Sequence, residues 1–84
     1  MYYVYVLQSE KNFKKYVGYT QKLPEVRLIE HNSGSNQWTR QNGPFVLLYS
    51  ESFSSRRVAI QQEKYFKSAA GRIALKKILE NERS

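Results

Sequence analysis

Two short runs of alternating side chains near the start constrain this chain more than anything after them. Tyr3-Val4-Tyr5-Val6-Leu7 and Tyr16-Val17-Gly18-Tyr19-Thr20 each repeat with period two, and a polar, charged stretch from Gln8 to Lys15 separates them. That period belongs to strands, so the spacing predicts a β-hairpin. Tyr3 and Tyr5 then share one strand face, and Tyr16 and Gly18 share one face of the other. A short turn, in which opposed residues sum to about 21, sets Tyr5 directly across from Tyr16. Two phenols stand together beside a glycine that leaves room for an approaching group. Such a face is either core or a site.

The remaining chain supplies helices and one more strand. Pro24 suits a first helical turn, and Glu25 to Asn32 reads as a short helix that ends at Asn32 to Gly34. Val26, Ile29 and either Leu23 or Leu28 can form its packing stripe, while Arg27 and His31, four apart, lie on one side. Ser33 to Pro44 is a polar loop carrying the only Trp, Trp38, and loops of this length tend to be functional or mobile. Phe45 to Phe53 is a third strand, apolar enough in its first half for a central place in the sheet. Ser54 or Ser55 caps a second helix that runs to about Ser68, with Ala59, Ile60 and Phe66 buried and Val58 and Ala70 as further candidates. A break at Ala70-Gly71 precedes a third helix from Arg72 to Glu82, with Ile73, Leu75, Ile78 and Leu79 facing inward. The order ββαβαα predicts an α+β fold, a three-stranded antiparallel sheet flanked by three helices, in a single domain over residues 1–84.

Charge and missing residue types then narrow the function. Fourteen Lys and Arg against seven acids leave a net charge of +7 on 84 residues, spread along the chain without a polybasic tail. A folded basic face meets polyanions, most often nucleic acid, and its plainer counterpart is a merely soluble basic protein. There is no Cys, no Asp and one His, His31. Disulfides, thiol nucleophiles, clusters of Asp and multi-His metal sites are thereby excluded within one chain. A hydrolytic site would have to be assembled from Tyr, Arg, Glu, Lys and His31. No apolar run approaches the roughly 20 residues of a membrane span, and no secretory start is evident, so a cytoplasmic location is the default. Nothing points to an obligatory protein partner.

Glu63 stands out because it lies close to the apolar stripe of its helix, where a carboxylate must be paired, protonated or bound to a cation. Its plainer reading is a structural ion pair. Arg27 with His31 could grip a phosphate, or Arg27 could pair with a nearby Glu on a solvated face. Tyr5 and Tyr16 could be core aromatics with satisfied hydroxyls.

Taken in order, these segments resemble a GIY-YIG endonuclease domain of the small stand-alone bacterial type. Tyr3-Val4-Tyr5 sits at the first motif and Tyr16-Val17-Gly18 at the second; Arg27 to Asn32 resembles the helix carrying the essential arginine, and Gln62-Glu63-Lys64 the stretch carrying a metal-binding glutamate. Phe66-Lys67-Ser68 and Gly71-Arg72 resemble the tail of that subgroup. Tyr3 stands where the first motif has glycine, and valines stand in place of isoleucines.

The resemblance implies metal-dependent hydrolysis of DNA phosphodiesters, structure-selective or weakly specific, of a repair or recombination type. Glu63 would ligate Mg²⁺ or Mn²⁺. Tyr5 would activate or position the attacking water, Tyr16 would orient it, Arg27 would hold the scissile phosphate and His31 would support it. A phenol with its ordinary pKa near 10 is a poor base, so Tyr5 would need the metal or Arg27 to lower that value. Lys14, Lys15, Arg40, Lys64, Lys67 and Arg72 are the candidates for tracking the DNA backbone. Two rivals stand beside it. One is a nucleic-acid-binding module without catalysis; the other is a structural partner of another protein.

Overall fold

The computed structural model describes residues 1–34 and 37–83. Three strands, β1 (Tyr2–Ser9), β2 (Lys15–Thr20) and β3 (Phe45–Phe53), form one antiparallel sheet in the order β2-β1-β3. The central strand is therefore β1, and β3 is an edge. The reason lies in burial on both sides: Val4 and Val6 are enclosed on one face, Tyr5 and Leu7 on the other. The apolar first half of β3 instead spans a bulge opposite Val6 and Leu7.

The hairpin register differs from the short-turn expectation by two residues. Tyr5 pairs with Gly18, and Leu7 with Tyr16. A connection of five residues, Glu10 to Lys14, accounts for the shift. An even slip leaves every side chain on its expected face, so Tyr5 and Tyr16 are still together, now as diagonal neighbours with ring centroids 6.2 Å apart.

One face of the sheet is covered by α1 (Pro24–Asn32) and the other by α3 (Arg56–Lys67) and α4 (Ala69–Arg83). The α1 stripe was misplaced by apolar periodicity. Pro24 and His31 are buried and Leu28 packs on Tyr5, Leu7 and Phe45, whereas Leu23, Val26 and Ile29 face outward, Ile29 at 68% exposure. Positions 24, 28 and 31 keep helical spacing, but their last member is a histidine, which a search for apolar side chains passes over. The polar stretch before β3 holds a short helix, α2 (Gln37–Asn42), where an irregular loop was expected. Ser35 and Asn36 of that stretch lie outside the described residues.

Ser55 caps α3, its hydroxyl accepting from the Val58 amide, and Ala59 and Phe66 enter the core as expected. Val58 and Ala70 are exposed. On α4, Leu75 is buried and Ile78 and Leu79 pack beside it, but Ile73 is exposed. The break between the helices falls at Ser68. Its hydroxyl donates to Tyr65 O and accepts from the Gly71 amide, so it closes α3 and opens α4. Gly71 stands where a Cβ would lie 1.6 Å from Tyr65 O. This glycine permits the close turn of one helix onto the next.

Two polar ties hold the α1 side in place. Asn32 donates to Phe45 O at 3.1 Å and accepts from the Phe45 amide at 2.7 Å, joining the end of α1 to the start of β3. Ser9, fully buried, donates its hydroxyl to Asn42 O and accepts from the Lys11 and Asn12 amides. Asn12 reaches Asn42 Oδ1 at 2.7 Å, and the Glu10 amide reaches Pro44 O at 2.9 Å. The hairpin tip is thus fastened to the end of α2.

Candidate functional site

β1 presents Tyr5 to the α1 side of the sheet, and α1 brings His31 over it. The Tyr5 hydroxyl lies 3.2 Å from His31 Nε2, and the Arg27 guanidinium approaches the same nitrogen at 3.4 Å. A guanidinium only donates, so Nε2 is the accepting nitrogen and the imidazole proton resides on Nδ1. Nδ1 is buried without a hydrogen-bond partner among the described residues. Burial, reinforced by the Arg27 charge, holds the His31 pKa below its ordinary value. His31 is therefore a neutral imidazole at physiological pH.

Burial also dominates at Tyr5, raising its pKa; Arg27 pulls the other way and Tyr16 adds to the rise, and the net shift is upward. Of the two groups expected to lower the Tyr5 pKa, the metal or Arg27, Arg27 does pull it down, but desolvation outweighs that pull. Tyr5 is only 1% exposed and remains a phenol.

Arg27 is itself held. Its Nη1 donates to Glu30 Oε1 at 2.7 Å, and Lys22 donates to the other Glu30 oxygen at 2.7 Å. Lys22 first, then Arg27, keeps the Glu30 carboxylate below its ordinary pKa. Arg27 pairs with a Glu through one nitrogen, as its plainer reading had it, and approaches His31 through the other. Glu30 thus holds Arg27 in place, and its position three residues beyond Arg27 on one helix is the sequence signal for that pair.

Aromatic rings complete the wall. Tyr16 lies 4.9 Å from His31 and 5.5 Å from Trp38 (ring centroids), and Trp38 stacks on Phe45 at 5.6 Å and 21°. Tyr5, Tyr16, Arg27 and His31 are thus brought together. Glu63 is outside this hydrogen-bonded cluster, on α3. Its side chain is 16% exposed and its carboxylate faces Lys67 Nζ at 3.7 Å.

Of the six expected backbone-tracking cations, Lys14, Lys15, Lys67 and Arg72 line one groove of about 750 Å³, together with Tyr16 and Trp38. Arg40 and Lys64 are not part of it; the Arg40 stem packs over Gly34, whose φ of 78° ends α1. No helix of the described residues is long and apolar enough to cross a membrane.

The chain and its fold match a known domain. The GIY-YIG catalytic domain family covers residues 1–77. A UPF0213 protein of Staphylococcus haemolyticus is 36% identical over 80 residues, covering 94% of this chain and 95% of its own. A UPF0213 protein of Bacillus pumilus is 43% identical over 68 residues, covering 80% and 67%. The solution structure of a UPF0213 protein from Bacillus halodurans superposes with a TM-score of 0.57 at 32% identity, covering 93% of this chain and 85% of that one. The chain belongs to the GIY-YIG catalytic domain family, a nuclease superfamily, and its relatives are likewise small UPF0213 proteins.

Proposed function

We propose that the chain is a metal-dependent endonuclease that hydrolyses DNA phosphodiester bonds with structural selectivity or weak sequence specificity. The observation that carries this reading is the convergence of the Tyr5 hydroxyl and the Arg27 guanidinium on one His31 nitrogen, in a chain of this family.

The donor set suits a single hard cation. Among the described residues no three His, Cys, Asp or Glu side chains gather, so an all-protein metal cage is not on offer. Glu63 is a partly buried carboxylate whose partner, Lys67, stands beyond ordinary hydrogen-bond length. One such carboxylate, with water and phosphate oxygens, is how Mg²⁺ or Mn²⁺ is commonly held beside a phosphate. When bound, the ion supplies Lewis-acid stabilisation of the leaving oxygen.

The remaining roles belong to the cluster. Arg27, aimed by Glu30, offers its free N–H groups to the scissile phosphate. Tyr5 donates to His31 Nε2 and leaves its oxygen lone pairs to position a water. Its raised pKa favours positioning over proton abstraction. Tyr16, half-buried and bordering the groove, orients the same water from the solvent side.

The test is a nicking assay on plasmid and on flap, fork and junction DNA, with Mg²⁺ or Mn²⁺ and with chelator. Product is expected only with metal, and Arg27→Ala and Glu63→Ala should abolish it. Undiminished cleavage by both variants would sink the site assignment. A second reading, a non-catalytic nucleic-acid-binding module, is favoured by Glu63 facing Lys67, an ordinary structural ion pair. It predicts salt-dependent binding, no metal-dependent product, and unchanged affinity in Glu63→Ala.

A further inference from the structure

The groove runs along the free edge of β2 and joins the two sides of the sheet. Tyr16 and Trp38 border it from the α1 side, while Phe66, Lys67, Arg72 and Leu75 border it from the α3 and α4 side. Five cations line it, Lys14, Lys15, Lys67, Arg72 and Lys76, and no carboxylate does so among the described residues. Such a lining favours an anionic partner.

Two aromatic rings at its border refine that partner. Trp38 is 38% exposed and is backed by Phe45 and Tyr16, which leaves a braced indole facing the groove. Phe13 is 70% exposed and has φ of 61°, a backbone region that bulky residues rarely occupy. The turn is held by several hydrogen bonds: the Phe13 amide donates to Ser9 O, Gln8 donates to Phe13 O, and the Lys14 amide donates to the Asn12 side chain. A strained residue held open to solvent, where glycine would fit without strain, has no packing reason to be an aromatic. The ties between the hairpin tip and α2 also fix Phe13 relative to Trp38.

We infer that this groove binds an unpaired nucleic-acid strand, with Phe13 and Trp38 stacking bases and the five cations following the phosphates. Bases in a duplex are already stacked on each other, so ring platforms of this kind are useful only to unpaired ones. The inference deepens the nucleic-acid reading above and rests on it: the preferred substrates become flaps, gaps and frayed ends that feed a single strand past Tyr16 to Arg27.

Trp38 is the only tryptophan, so its emission reports directly on the groove. The full chain in chelator is titrated with a deoxythymidine oligomer of about 12 nucleotides, with blunt duplex of equal length, and with polyglutamate. The oligomer should quench Trp38 and bind more tightly than duplex, and its affinity should fall with log salt by about 0.7 per phosphate neutralised. Phe13→Gly should raise the melting temperature, because glycine accepts the φ of 61°, and yet weaken the oligomer by roughly 5-fold or more. Equal affinity for duplex, equal quenching by polyglutamate, or unchanged oligomer binding by Phe13→Gly would each overturn the inference. Without metal no cleavage is measured, so the two readings fail separately. A chain that binds the oligomer and cuts nothing keeps this groove and loses the nuclease. A chain that cuts duplex and ignores the oligomer does the reverse.

Discussion

The Tyr5 phenol lies across Gly18, its hydroxyl 2.6 Å from the point that a Cβ on Gly18 would occupy. The two residues are cross-strand partners, so the side chain missing from β2 makes room for the one on β1. The sequence suggested clearance for an incoming group; that clearance is filled by the candidate catalytic phenol itself.

Gly18→Ala should therefore act on Tyr5 first. The new methyl group meets the phenol tip, which is buried and hydrogen-bonded to His31, so it can yield only by leaving that contact. A shift of about 1 Å at such a group costs on the order of 100-fold in rate. Nicking rates of the variant against the parent, with melting curves for both, check this. Undiminished nicking would mean that the Tyr5 position is not critical.

His31 gives stability a pH dependence with a defined sign. Its folded pKa lies below the ordinary 6.5, so the unfolded chain binds the extra proton more readily. The stabilisation is complete above 6.5 and is lost as pH falls from there through the folded value. Denaturant unfolding at pH 7.5 and at about pH 5 should show the drop, and His31→Gln should flatten it. An equal drop in that variant would assign the effect elsewhere.

Glu30→Gln separates orientation from folding. The pair with Lys22 is exposed, so the melting temperature should hold. Arg27 loses a charged anchor at 2.7 Å and should grip phosphate less firmly, raising KM for DNA or lowering kcat by roughly 10-fold. Steady-state kinetics on a flap substrate distinguish the two. Rates equal to the parent would free Arg27 from dependence on Glu30.

Asn32→Ala should be the more damaging change to the fold. It removes both hydrogen bonds to the Phe45 backbone and leaves a partly buried amide without its acceptor, a loss of roughly 1–3 kcal/mol. Phe45 supports Trp38 and lies edge-on to His31, so near-ultraviolet circular dichroism should change as well. An unaltered denaturant midpoint would contradict this.

Alternation and caps carried most of the architecture in readable form. Strand faces followed from period two even where the register did not, because a slip of two preserves them. Ser55 was legible as a cap because its chemistry is local. The errors arose where tertiary contacts decide. The orientation of α1 depends on His31 finding Tyr5 on a distant strand, and no local scale scores a histidine as a core residue. The groove was half legible: its lysines were visible as charge, but Phe13 acquires its meaning only from a backbone angle.

Ser9 has a consequence for how this molecule breathes. Its bonds to Asn42, Lys11 and Asn12 close the chain between residues 9 and 42 into a ring. Tyr16, Gly18, Arg27, His31 and Trp38 all lie on that ring. One buried hydroxyl serves both ends of the ring, which couples opening at the hairpin to opening at α2. In hydrogen exchange, the amides of Glu10, Lys11, Asn12 and Gly43 should exchange as one cooperative unit at a common opening free energy. The fluctuation that admits water to Tyr5 would then be this concerted opening, leaving the α3–α4 side closed.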